Sequence, residues 1–151
     1  MIRFFCAAFL VSNIALAADD ACAMVPSALI SSMLGTTKNN GISNMKLPPK
    51  ATQGKACTFV GKDNSATLIW FKFSTPAAAH DYLKTVRDKL SAQALQTTTE
   101  NLDGEEGFSF SSGILAVKKN IWLRGDVYST GGKVVAPDLT RQLILGALRA
   151  N

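Results

Sequence analysis

His80 is the only histidine in the chain, so any imidazole chemistry near neutral pH has to run through that one residue. It falls in the first turns of the helix-like run that follows Ser74-Thr75-Pro76. No acid and no nucleophile are spaced around it as partners, and it reads as a helix-surface side chain. Ser43-Asn44-Met45-Lys46 has the S-x-x-K spacing in which a lysine one helical turn on deprotonates a serine. That chemistry needs the serine at a helix start. Here it lies in a Gly/Asn/Pro-rich stretch with no S-D-N or K-T-G downstream, so the match is a coincidence of spacing. No G-x-S-x-G, Walker loop or H-E-x-x-H is present.

Glu100-Asn101-Leu102-Asp103-Gly104-Glu105-Glu106-Gly107 gathers four carboxylates, Glu100, Asp103, Glu105 and Glu106. Such a cluster has the oxygen ligands that calcium takes, but the D-x-[DN]-x-[DN]-G order of a calcium loop is absent. A pair of carboxylates is also what a glycoside hydrolase needs, provided their separation is right. The stretch is expected to be a solvated acidic loop, and no metal or cofactor is implied.

Ile121 to Tyr128, IWLRGDVY, is the stretch richest in recognition chemistry. In a strand, Ile121, Leu123 and Val127 share one face, while Trp122, Arg124, Asp126 and Tyr128 share the other. Trp, Tyr and Arg dominate interface energetics. If the second face is open it is a ready recognition surface. If a helix covers it, Trp122 and Tyr128 become core residues and Arg124 pairs with Asp126 at the rim.

The remaining reactive groups are thiols, and the start of the chain decides their chemistry. Met1-Ile2-Arg3 is followed by an apolar run from Phe4 to Leu16, ending in Ala15-Leu16-Ala17 before Asp19-Asp20. This pattern predicts a secretory signal peptide over residues 1–17, with a single domain over 18–151. Cleavage would remove Cys6 and leave Cys22 and Cys57 as an even pair in an oxidising compartment. Without histidine neighbours they make no zinc site, and they do not form a C-x-x-C motif. A Cys22–Cys57 disulfide is expected. Loss of Arg3 lowers the formal charge of +5 to +4. That balance, together with export, argues against a nucleic-acid partner. No later run is long enough to span a membrane.

The elements that would position these groups follow from periodicity and punctuation. Pro26 and Gly35 bracket a short helix carrying Leu29, Ile30, Met33 and Leu34. Gly35 to Lys55 reads as a long loop. Lys55–Gly61 and Ala66–Phe73 read as strands about the turn GKDN. The second is apolar on both parities and is expected to be covered on both faces. Thr75-Pro76 starts a helix of about 20 residues with Ala79, Leu83, Val86, Leu90 and Ala94 as its apolar stripe. GFSFSSG, ILAVKK and IWLRGDVY read as strands, the last two a hairpin turning at Lys119-Asn120. Pro137 opens a final helix with Leu139, Leu143, Ala147 and Leu148. The fold class expected is α+β: a mainly antiparallel sheet of about five strands packed with two longer helices and the short N-terminal one.

CAMVPSALISSMLG followed by ACTFVG resembles small exported domains and lipoproteins of bacteria. These place a cysteine before a short helix ending in Leu-Gly and a second cysteine, often Cys-x-aromatic, on the next strand. Here the matching residues are Cys22, Leu34, Gly35, Cys57 and Phe59; an anchoring cysteine is absent. The resemblance implies this fold and an envelope location. The sequence thus favours a non-enzymatic periplasmic or secreted domain that recognises a protein partner, an inhibitor or immunity-type protein being one form. An apolar-ligand module lined by Trp70, Phe108 and Phe110, and a carboxylate-dependent hydrolase of envelope polymers, are the alternatives.

Overall fold

The computed structural model describes residues 21–35, 38–42, 45–111, 113–129 and 137–151. The expected signal peptide and Ser43 of the S-x-x-K match lie outside them. After a 3-10 turn at Ala21–Met24, the elements are α1 (Ser27–Leu34), β1 (Lys38–Ile42), β2 (Ala51–Val60) and β3 (Asn64–Phe73). Then come α2 (Pro76–Ala92), β4 (Thr98–Thr99), β5 (Glu106–Phe110), β6 (Gly113–Lys118), β7 (Ile121–Ser129) and α3 (Pro137–Ala150).

The strands form one sheet in the order β1-β2-β3-β7-β6-β5-β4, antiparallel throughout. It is built from two meanders, β1-β2-β3 and β4-β5-β6-β7. The connection through α2 sends the chain to the far edge so that β7 returns beside β3. The class is α+β, as expected, but the sheet has seven strands and not about five. The two extra strands are its edges, KNNGI and TT. An edge strand is held by backbone hydrogen bonds on one side and needs no apolar run, so hydrophobic periodicity is blind to it. For the same reason the long loop expected over Gly35–Lys55 contains β1 and the first residues of β2.

Helices cover both faces. On one, α1 and α3 pack over Cys57, Phe59, Leu68, Trp70, Ile114, Ala116, Leu123 and Val127. On the other, α2 lays Ala78, Ala79 and Leu83 over Phe71, Phe73, Phe108, Leu115, Val117 and Trp122. Strand β3 serves both, with Leu68 and Trp70 on the first face and Phe71 and Phe73 on the second. This is why its apolar residues occupy both parities.

Helix α2 begins where its punctuation says. Thr75 is the N-cap, its hydroxyl accepting from the Ala78 amide at 3.2 Å, with Pro76 as the first helical residue. It stops at Ala92, so the last member of the expected stripe, Ala94, lies beyond it with φ +58°. Helix α1 has only eight residues, well short of the length that is stable alone. Ile30 and Leu34 bury its inner side, Gly35 ends it at φ +75°, and Leu29 packs where a β-carbon on Gly146 of α3 would collide. Immediately before it, Cys22 is bonded to Cys57 on β2, with a Cα–Cα distance of 5.1 Å. The covalent link holds the 3-10 turn on the sheet and so delivers a helix too short to hold itself.

Candidate functional site

Helix α2 crosses only part of its face of the sheet. Under it, Phe71, Leu115, Val117, Trp122 and Phe108 are buried, but further along the same strands burial falls. Thr58 on β2, Thr67 and Ile69 on β3, Tyr128 on β7 and Phe110 on β5 are half-buried, and Val60 is exposed. The register aligns Thr58 with Thr67 and Thr67 with Asp126, while Phe110 pairs with Gly113 on β6. One continuous row of the sheet therefore runs from Thr58 to Phe110 beyond the cover of α2.

Asp126 is the centre of that row. Its side chain is only 5% exposed, and Arg124, 35% exposed, donates to it through Nε at 2.8 Å and Nη2 at 3.3 Å. The Tyr128 hydroxyl donates to Oδ1 at 3.2 Å. The three residues sit at alternate positions of one strand, so strand geometry alone puts them on one face. The guanidinium also lies over the Phe110 ring, 5.2 Å from its centroid, a cation–π contact. A buried carboxylate thus fixes an arginine and a tyrosine, and a neighbouring ring fixes the arginine from the other side. Such pre-ordered Arg and Tyr side chains lose little rotamer freedom on meeting a partner.

Of the four residues singled out on this strand, Trp122 stands apart. It lies under α2, 4% exposed, against Phe71 and Tyr82 at ring distances of 5.4 and 5.3 Å. Its place two residues nearer the turn than Arg124 is enough to move it from the open part of the face to the covered part. Burial pushes the Tyr82 hydroxyl above its ordinary pKa, because the phenolate would be poorly solvated there.

The acidic stretch is not a free loop but the end of a β4–β5 hairpin. Asp103 and Gly104 take φ +57° and +89°, the pair of positive values that a two-residue type I′ turn requires. Leu102 bridges Glu105 and is fully buried, plugging the hairpin into the core under α3. Three of its four carboxylates have side-chain partners. Glu100 meets Arg141 at 3.0 Å, Asp103 meets Arg149 at 2.6 Å, and both arginines come from α3. Arg141 also donates to the Asn101 carbonyl. Glu106 turns to the other face and meets His80 Nδ1 of α2 at 2.6 Å. Glu105 is half-buried and held by its backbone.

His80 and Glu106 stand on a groove of about 420 Å³ whose other walls include Leu83, Lys84, Arg87 and Phe108. Arg87 lies over the Phe108 ring and donates to Thr97 and Thr99. Lys84 bonds Asp88 one turn on, which raises its pKa first through that hydrogen bond and then through the carboxylate charge. Two pairs of the groove's charged residues face each other, His80 with Glu106 and Lys84 with Asp88. Trp70 faces α3 while Phe108 and Phe110 face α2, so these three rings do not line one pocket. Among the described residues, no group of three His, Cys, Asp or Glu side chains is placed to hold a metal ion, and no helix is long and apolar enough to cross a membrane.

Phe110 and Gly113 complete the site. Alternation in GFSFSSG places Phe110 on the Phe108 face, but that it meets Arg124 follows from the β5-β6-β7 order, which no local pattern carries.

No family model matches the chain, and no curated protein matches it.

Proposed function

We propose that this chain is a non-catalytic recognition domain of the cell envelope or the secreted space. It engages a protein partner through the uncovered row from Thr58 to Phe110. The observation that carries the reading is the Arg124–Asp126–Tyr128 arrangement: an arginine and a tyrosine held in place on an open sheet face by a buried carboxylate. These residue types supply most of the binding energy in protein interfaces, and Ile69, Phe110 and Val60 add apolar surface around them. An inhibitor or immunity-type role is the concrete form of this reading. Export is supported by the disulfide, since such bonds persist in oxidising compartments.

The two alternatives draw less support. An apolar-ligand site built on Trp70, Phe108 and Phe110 would need rings that share a face. A hydrolase working through the acidic hairpin would need two free carboxylates, and Glu100, Asp103 and Glu106 already face Arg141, Arg149 and His80.

A photo-cross-linker at Thr67, in the middle of the row, is expected to capture one defined protein. The same group at Lys89, on the outer surface of α2, is expected to capture none. Capture at Thr67 should vanish in an Arg124→Gln, Tyr128→Ala double variant whose melting temperature stays close to that of the parent. Equal capture at both positions, or capture indifferent to the double variant, would remove the proposed surface.

A further inference from the structure

The groove beside α2 holds two charges that the fold leaves unpaired. Of its charged residues, His80 faces Glu106 and Lys84 faces Asp88. Asp81 and Arg87 remain. Both line the groove, and among the described residues neither has an ion-pair partner. They are of opposite sign.

Neutral groups hold Arg87 in place. Its Nε donates to the Thr97 hydroxyl at 3.3 Å and its Nη2 to the Thr99 hydroxyl at 2.9 Å, while the guanidinium carbon lies 5.3 Å from the centroid of the Phe108 ring. These contacts fix the head without cancelling its charge. Among the described residues Nη1 has no acceptor. A guanidinium so arranged is suited to a carboxylate. Asp81 is exposed and precedes Arg87 by six residues on the same helix, a rise of about 9 Å. His80 stands next to Asp81. With Nδ1 against the Glu106 carboxylate at 2.6 Å, the neutral ring carries its proton there and leaves Nε2 as an acceptor. Leu83 and Phe108, both buried, supply an apolar floor.

We infer that this groove binds a short zwitterionic peptide with both termini free. The C-terminal carboxylate meets Arg87, the N-terminal ammonium meets Asp81, and a peptide N–H donates to His80 Nε2. The terminal charges of an extended tripeptide stand roughly 10 Å apart, which matches the rise from Asp81 to Arg87. The two charges of a single amino acid flank one Cα and cannot reach both. The groove's volume of about 420 Å³ lies within the range of small-ligand sites. A zwitterion brings no net charge, so the carboxylates of Asp88 and Glu106 do not oppose it as they would a plain anion. The inference goes beyond the recognition reading. The groove shares no residue with the row from Thr58 to Phe110, so either can fail without the other.

The test is an NMR titration of the purified, disulfide-bonded full chain with trialanine, followed at the backbone amides of α2 and β5. Shifts are expected from His80 to Asp88 and at Gly107 and Phe108. The dissociation constant should be on the order of 1 mM, as suits so small a ligand in an open site. N-acetyl-trialanine lacks the ammonium and trialanine amide lacks the carboxylate; each should bind about tenfold more weakly. Arg87→Gln should bind trialanine and its amide equally, having lost the group that tells them apart. Asp81→Asn should likewise bind trialanine and its acetylated form equally. Arg124→Gln with Tyr128→Ala should bind trialanine as the parent does. Absence of saturable shifts, blocked peptides that bind like trialanine, discrimination that survives in either variant, or shifts centred on Arg124 and Tyr128 would each overturn the inference.

Discussion

A β-carbon on Gly113 would collide with Oδ1 of Asp126. The buried carboxylate that organises Arg124 and Tyr128 therefore exists in its place only because the adjacent strand leaves out a side chain. Gly113→Ala is expected to push Asp126 aside and to cost about 2 kcal/mol, the usual cost of overpacking a tight site. Urea unfolding measures the loss. A mutant as stable as the parent would mean that Asp126 has room it is not seen to have.

The Arg124–Asp126 pair should respond asymmetrically to truncation. Arg124→Ala leaves a carboxylate with 5% side-chain exposure and only the Tyr128 hydroxyl for company. After allowance for the partly exposed partner, the cost is about 2 kcal/mol. Asp126→Ala lets the arginine turn outward into water and should cost roughly half as much. A double-mutant cycle by chemical denaturation reads both values. Equal costs would contradict the burial difference between the two groups.

Reduction of Cys22–Cys57, or Cys22→Ser with Cys57→Ser, should destabilise the fold by about 4 kcal/mol on the loop-closure model, the bonded residues being 35 apart in sequence. The loss should appear first around α1, whose eight residues are too few to be stable alone. Hydrogen exchange resolves the order: amides of Ile30 to Leu34 should lose protection before those of β3. Simultaneous loss throughout would show that α1 does not depend on the bond.

Tyr82 predicts an alkaline limit. Its pKa is raised above the ordinary value of 10.0 by burial, so the folded protein holds the phenolic proton after the unfolded chain has released it. The stability this supplies is complete below pH 10 and is lost as pH rises through the folded-state pKa. Tyr82→Phe should flatten that part of the stability–pH curve. The phenolate absorbance lost in Tyr82→Phe should belong to a group titrating above the ordinary value of 10.0. If the lost signal titrates at the ordinary value, the burial account of Tyr82 fails.

Much of this architecture was legible locally. Thr75-Pro76, Gly35 and the Lys119-Asn120 turn punctuate elements through backbone chemistry that acts within a few residues. The two apolar parities of β3 announce a strand covered twice, because each parity reports one face. Alternation along IWLRGDVY put Arg124, Asp126 and Tyr128 on one side of a strand from residue spacing alone. The Asp103-Gly104 turn was legible too, since Asp-Gly carries the hairpin signal, yet its flanks are polar and short and the surrounding carboxylates dominated the reading.

Strand order and helix reach belong to the tertiary structure. Edge strands such as β1 and β4 leave no mark in a hydrophobic pattern, since their stability comes from pairing with distant segments. Whether Trp122 or Arg124 is covered depends on where α2 ends its crossing, a matter of helix length against sheet width that neither residue encodes. The same holds for His80 and Glu106, 26 residues apart in sequence and brought together by the packing of α2 on β5. Local sequence sets conformation and facing because those energies are short-ranged. Which faces stay open, and which distant charges become neighbours, is decided by how the whole sheet packs.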